Sequence, residues 1–165
     1  MEVKFDKILT TKAELERFNR NDPNNVAALL IHTFCNYNPN NTNEFFEMLQ
    51  YLYGEFQPLS PLMKQSVQDR MKQNEKYKFI GKSYFKGANP NNDYTPTEYT
   101  IDVTKNPYSE VEGGYLRLFL KSGGADTERP VTLRLAKDGN YYIWSDSCMG
   151  LLSDIREPES NNPWA

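Results

Sequence analysis

Histidine and cysteine are scarce in this chain, which has one histidine and two cysteines among 165 residues. A single histidine excludes metal sites built from several imidazoles. Cys35 and Cys148 show neither the CxxC nor the Cys/His spacing that is typical of zinc sites. We therefore expect no metal and no cofactor. Both cysteines are predicted to be free thiols, as in most cytoplasmic proteins.

Runs of basic residues and long apolar runs are also absent. The 19 Lys and Arg residues are outnumbered by 22 Asp and Glu residues, which gives a net charge of −3. Nucleic acid and anionic membranes are therefore not expected partners. No apolar stretch approaches the roughly 20 residues that cross a bilayer. Residues 1–18 lack the apolar core of a signal peptide, so we expect a cytoplasmic location.

Aromatic residues are plentiful and make up for a modest apolar content. Apolar residues form 38% of the chain, but 13% of it is aromatic, with 11 Tyr and 9 Phe. Each aromatic ring buries a large area, so these residues can supply a proper core. The length suits a single domain, which we expect to cover residues 1–165.

Helical signals dominate the first part of the chain, up to about residue 74. Polar caps and prolines mark where helices begin, since both are favoured at helix N-termini. The predicted starts are the Thr11–Glu14 capping box, Asp22-Pro23, Thr42 or Asn43, and Ser60-Pro61. Gly54 is a plausible C-terminal cap of the third helix. We identify no strand in this part.

Strand and turn signals dominate from about residue 75 onward. Strands are predicted over 77–86, with a bulge or bend at Gly81, and over 99–103. Three further antiparallel strands are predicted between Tyr115 and Trp144. Helices followed by strands indicate an α+β fold, with N-terminal helices packed on a C-terminal curved antiparallel sheet of about five strands. Trp164 suggests that the C-terminal tail docks on the domain.

The last hairpin admits two registers. A two-residue loop pairs Leu135 with Tyr142, whereas a three-residue loop with a bulge at Gly139 pairs Leu135 with Tyr141. The choice matters because a slip of one residue moves every side chain to the opposite face. We favour the bulged register, since it keeps Arg134 off the aliphatic face.

In the bulged register the sheet has two unlike faces. The face that packs on the helices is aliphatic and consists of Leu116, Leu118, Leu120, Val131, Leu133, Leu135 and Ile143. The opposite face is aromatic and cationic and consists of Tyr115, Arg117, Phe119, Thr132, Arg134, Tyr142 and Trp144. Such a face would form an open pocket or a docking surface. Its two arginines could bind carboxylate or phosphate, or simply stack on Tyr142 and Trp144 or pair with Asp102 and Glu98.

The glycine-rich segment 122–126, with the sequence SGGAD, is a second candidate site. Backbone N–H groups of Gly123 and Gly124 could bind an anion, as glycine-rich nests do. The segment lacks the pattern of a nucleotide-binding loop. A flexible turn, in which Asp126 caps the turn or pairs with Arg129, is the favoured interpretation.

His32 and Cys35 lie one helical turn apart and could be neighbours. A nucleophilic pair would require mutual contact and exposure in a cleft. We favour a non-catalytic interpretation, with a helix histidine and a buried thiol.

Two resemblances rest on the C-terminal half. NPYS at 106–109, GY at 114–115, SGGAD at 122–126, RPV at 129–131, LR at 133–134, DG at 138–139, IR at 155–156 and PWA at 163–165 resemble a bacterial domain family of unknown function. That resemblance implies a bacterial intracellular setting and no particular activity. Segments 130–135, 138–139 and 141–144 resemble the nuclear transport factor two-like cone fold, which implies a pocket.

Three functions are compatible with these patterns. The first is a non-catalytic binding or interaction module, which uses the aromatic and arginine face to bind an unknown protein or a small anionic molecule. The second is a protein that forms a homodimer through its sheet. The third is a small-molecule enzyme with a cone-fold pocket, whose acids or tyrosines perform the chemistry. We rank them in this order, because no nucleophile–base motif is present.

Overall fold

The computed structural model describes residues 1–164, so Ala165, the last residue of the PWA motif, lies outside the described residues. The helices are α1 (Lys12–Leu15), α2 (Pro23–Phe34), α3 (Asn43–Tyr53) and α4 (Pro61–Lys72). The strands are β1 (Glu2–Phe5), β2 (Tyr99–Thr104), β3 (Glu110–Val111), β4 (Tyr115–Leu120), β5 (Arg129–Leu135) and β6 (Tyr141–Ile143). Short 3₁₀ turns connect several of these elements.

The strands form one antiparallel sheet, and the predicted α+β class is confirmed. The strand order is β1-β2-β4-β5-β6, and the short β3 pairs with the first residues of β4. Helix α2 is buried from Val26 to Phe34, because it lies between the other helices and the sheet. Helix α2 and the aliphatic face of the sheet share one hydrophobic core.

The predicted helix starts are confirmed by their hydrogen bonds. The side chains of Thr11, Asp22 and Ser60 accept backbone N–H groups of the first turns of α1, α2 and α4. Helix α3 begins at Asn43, but Thr42 makes no capping bond there. Each confirmed cap satisfies a donor that the helix itself leaves unpaired.

The strand predicted over 77–86 is wrong. This segment folds into two 3₁₀ turns, and only Phe85 forms an isolated bridge, to Ile101. Of the aromatic residues that suggested a strand, Phe79, Tyr84 and Phe85 are instead buried in the core, and Tyr77 is partly buried against it. Gly81 is no bulge: a Cβ there would lie 2.6 Å from the Cys35 sulfur, so the glycine permits close packing against α2.

A strand precedes the helices, contrary to the expectation of none before residue 75. Residues of β1 pair with β2 along its length, from Glu2 opposite Asp102 to Phe5 opposite Tyr99. The four-residue segment is too short to carry a recognisable alternation on its own. It becomes a strand because β2 offers it a free edge.

The bulged register of the last hairpin is confirmed. Leu133 pairs with Ile143, and Leu135 pairs with Tyr141. Gly139 has a φ of +85°, a conformation that glycine adopts without strain. Arg134 therefore lies on the face away from the aliphatic residues, as predicted.

The predicted docking of the C-terminal tail is wrong for its tryptophan. Trp164 is 91% exposed. The segment just before it is held instead: the Tyr94 hydroxyl donates to the carbonyl oxygen of Arg156, and Ser160 donates to Asp93.

Candidate binding face and groove

Arg134 lies between two aromatic rings on the open face of the sheet. Its guanidinium carbon is 4.7 Å from the ring centre of Tyr115 and 4.6 Å from that of Trp144. The two rings meet edge to face, with centres 5.5 Å apart. Cation–π attraction and ring contact therefore hold the exposed arginine in a defined position.

Strand register explains why these side chains meet. Tyr115 pairs with Arg134, and Arg117 pairs with Thr132, so both arginines project from the same face. The Trp144 backbone N–H donates to the Thr132 carbonyl at 2.9 Å and brings the tryptophan beside them. Adjacent strands thus place the two arginines about one diagonal step apart.

Arg117 also lies over an aromatic ring, but at a longer distance than Arg134. The guanidinium carbon of Arg117 is 5.5 Å from the ring centre of Phe119. Within residues 1–164, neither guanidinium donates a hydrogen bond, and neither forms an ion pair with Asp102 or Glu98. We call Tyr115, Arg117, Phe119, Arg134 and Trp144 the cation–aromatic face.

Tyr142 was predicted on this face, but its ring packs elsewhere. It is 5% exposed and meets the Phe56 ring edge to face, with centres 4.8 Å apart. Its hydroxyl donates to the Asp138 carboxylate at 2.6 Å, which lowers the pKa of that carboxyl group. The Arg20 guanidinium lies 5.0 Å from the Tyr142 ring centre. Tyr142 therefore ties the hairpin to the end of α3.

Leu135 departs from the predicted aliphatic face. It is 43% exposed, because β5 ends there, beyond the reach of the helices. The other predicted members of that face, from Leu116 to Ile143, are buried as expected.

The glycine-rich segment 122–126 uses its N–H groups within the fold. Gly123 donates to the Ser83 carbonyl, while Gly124 and Ala125 donate to the hydroxyl and the carbonyl of Ser122. These donors are occupied, so in this conformation they do not form an anion nest. Gly124 is itself buried.

Asp126 pairs with Arg156 at 2.9 Å rather than with Arg129. The Arg129 guanidinium instead donates to the carbonyls of Ser153 and Asp154. Both arginines thus fasten the C-terminal segment to the sheet. The Asp126 pair is well exposed and contributes little stability.

The surroundings of His32 and Cys35 are those of core residues and not of a catalytic pair. The Nδ1 atom of His32 accepts the Leu9 N–H at 2.9 Å, and its ring centre lies 4.1 Å from that of Phe5. Burial lowers the pKa of His32 to about 3 and raises that of Cys35 to about 12. Neither shift suits a nucleophilic pair at neutral pH, since the thiol stays protonated. Cys35 and Cys148 are free thiols, as predicted.

A wide groove, which the sequence did not indicate, lies elsewhere on the described part of the chain. It measures about 850 Å³ and lies between α4, the loop that follows α3 and the segment after β6. Its apolar lining comprises Tyr53, Pro58, Leu59, Leu62, Met63 and Met149. Its charged lining comprises Asp69, Arg70 and Asp146. None of the five residues of the cation–aromatic face lines it.

Two glutamines hold the wall of this groove in place. The Gln57 amide donates to the carbonyls of Tyr53 and Ile143 and accepts the Ser145 N–H at 2.9 Å. The Gln50 amide donates to the carbonyls of Gly54 and Gln57. Side chains therefore satisfy the backbone of a loop that has no regular structure. The sequence gives no sign of these long-range bonds.

Neither a metal-ligand cluster nor a membrane-spanning helix is present among residues 1–164. Within residues 1–164, no three His, Cys, Asp or Glu side chains are grouped as metal ligands would be. In the same range, no helix has both the length and the apolarity that a membrane span requires.

Comparison with known proteins identifies one family. The model of a family described as "Domain of unknown function (DUF6935)" matches residues 7–159. No curated protein and no solved structure matches the chain significantly. The family description assigns no activity, substrate or partner.

Proposed function

Because the chain belongs to this domain family of unknown function, we propose a function from its own surface: a non-catalytic module that binds an acidic segment of a partner protein through the cation–aromatic face. The observation that supports this proposal is the Arg134 guanidinium, which is held between Tyr115 and Trp144 and has no acceptor among residues 1–164. A guanidinium in a fixed position loses little entropy when it binds a carboxylate.

Composition and shape both favour a protein over a small ligand. Arginine, tyrosine and tryptophan are the side chains most enriched at energetically important positions of protein interfaces. Small-molecule sites are usually concave, whereas Arg117, Arg134 and Trp144 line none of the three cavities of about 850, 590 and 260 Å³ in the described part of the chain. An open face fits an extended acidic segment, whose alternate side chains point to one side.

The test uses a peptide in which glutamate alternates with threonine over about ten residues, since alternate residues of an extended chain face one side. A Trp164→Phe background leaves Trp144 as the only tryptophan, because the chain has two. Titration with this peptide should change the Trp144 fluorescence until the binding site is saturated. Arg134→Ala should weaken binding about tenfold, as expected for the loss of one charge-assisted contact. Arg134→Lys should restore only part of this loss.

Two controls make the result specific. The matched peptide with glutamine in place of glutamate should not bind, because it offers no carboxylate. Arg17→Ala removes an exposed arginine from the helical side and should leave the affinity unchanged. Equal losses in Arg17→Ala and Arg134→Ala, or citrate binding as tightly as the peptide, would refute the proposal.

A further inference from the structure

The 850 Å³ groove beside α4 has the size of a small-molecule site, for which about 300–1,000 Å³ is usual. It shares no lining residue with the cation–aromatic face, so its role does not depend on the function proposed above. Its wall is preformed, because Gln50 and Gln57 fix the loop from Gly54 to Leu59 by side-chain hydrogen bonds.

One part of the groove is apolar and accessible. Leu62 projects from α4 and is 77% exposed. Met63 on α4 and Met149 after β6 also line the groove, and both are half-buried. Methionine side chains adapt to apolar groups of different shape. These side chains can therefore pack against an alkyl chain or another hydrocarbon part of a ligand.

The charges in the groove are unequal. Asp69 and Asp146 bring two carboxylates, and Arg70 brings the single cation. The Arg70 guanidinium donates to the Ser153 hydroxyl at 3.0 Å, and the Asp69 carboxylate accepts the Gln65 amide at 2.7 Å. The Asp146 carboxylate accepts no hydrogen bond within residues 1–164. Asp146 is exposed, and an ionised carboxylate beside an apolar wall attracts the cationic end of an amphiphilic ligand.

Asp146 also lies close to the floor of the groove. Beneath it the Tyr53 hydroxyl is buried without a hydrogen-bond partner in the described chain. Burial raises the pKa of the Cys148 thiol to about 12, while the neighbouring Tyr53 side chain opposes this shift and the Asp146 charge adds to it. Arg70 is the one cation that lines the groove, and within residues 1–164 it forms no ion pair with Asp146.

We infer that the groove binds a small amphiphilic amine, with its hydrocarbon part between Leu62, Met63 and Met149 and its ammonium group at Asp146. Asp69 on α4 adds a second negative charge to the site. No chemical step is involved, and the amine is bound unchanged.

Methyl NMR tests this inference directly. The chain has five methionines, and labelling their ε-methyl groups with ¹³C gives probes in the groove and elsewhere. The protein is titrated with octylammonium, octanol and octanoate, each below the concentration at which it forms micelles. The ε-methyl resonances of Met63 and Met149 should change their chemical shifts in a saturable manner, while those of Met1 and Met48 should stay unchanged. The protein should bind octylammonium most tightly, octanol less tightly and octanoate most weakly.

Substitutions then test whether Asp146 is the carboxylate that binds the ammonium group. Asp146→Asn should weaken octylammonium binding about fivefold, as for a partly exposed ion pair, and leave octanol binding unchanged. Asp126→Asn, a remote exposed carboxylate, should change neither. Failure of Met63 and Met149 to shift, equal affinities for the three probes, or shifts at all methyl groups would each overturn the inference. None of these outcomes bears on acidic-peptide binding at Arg134.

Discussion

Replacing Gly123 with alanine should destabilise the fold by about 4 kcal/mol or more. A Cβ on Gly123 would overlap the carbonyl oxygen of Ala88 and would lie 3.3 Å from the Cα of Asn89. These are backbone atoms, which cannot move aside as the end of a flexible side chain can. The Gly123 N–H also donates to the Ser83 carbonyl at 2.9 Å, so a movement of the loop that relieves the clash would strain this backbone bond.

Urea denaturation measures the effect as a lower midpoint. A loss of this size is a large part of the roughly 5–15 kcal/mol that stabilises a typical domain, so the variant should be partly unfolded at 37 °C. Gly139→Ala is the matched control. Gly139 has a positive φ but nothing near its missing Cβ, so alanine there should cost only about 1 kcal/mol. Similar urea midpoints for the two variants would contradict this prediction, because they would show that the backbone of residues 83–89 can move to accommodate the new Cβ at little cost.

Stability should fall when the pH drops below about 6.5, owing to His32. Burial lowers the pKa of this residue from 6.5 to about 3. Between these values the unfolded chain binds a proton that the folded chain does not, so acid favours unfolding. The slope should approach about 1.4 kcal/mol per pH unit once the pH is well below 6.5. The contribution is fully present above pH 6.5.

The measurement is the free energy of unfolding between pH 7 and 5. His32 is the only histidine, and Glu14, whose pKa is lowered to about 2, affects stability only below its ordinary value of 4.5. His32→Asn should remove the slope in this window, since the amide oxygen can still accept the Leu9 N–H but does not titrate. It should also be less stable at pH 7, because it leaves a gap beside Phe5. A wild-type curve that is flat from pH 7 to 5 would contradict the assignment.

Local signals in the sequence predicted the helices well. The Asp22 and Ser60 caps act within a few residues, and the structure contains both bonds. The last hairpin was also predictable, because Asp138-Gly139 restricts the turn and the register follows from the turn. That register placed Arg134 beside Tyr115 and Trp144.

Features that depend on distant segments could not be predicted. Tyr142 has the correct strand position for the open face, but Phe56 and Arg20 draw its ring to the end of α3. The groove has the same origin, since its wall depends on Gln57 reaching Ile143, 86 residues away. Composition misled at 77–86, where aromatic residues typical of strands fill the core from 3₁₀ turns.

The pairing of β1 with β2 has a consequence for the order of folding. Glu2 meets Asp102 across about a hundred residues of intervening chain. During synthesis the helices of residues 12–72 emerge long before β2 exists, so β1 must wait without a partner. Closing such a long loop is slow compared with forming local helices. Although β1 is translated before the other strands of this sheet, it is therefore among the last to join it.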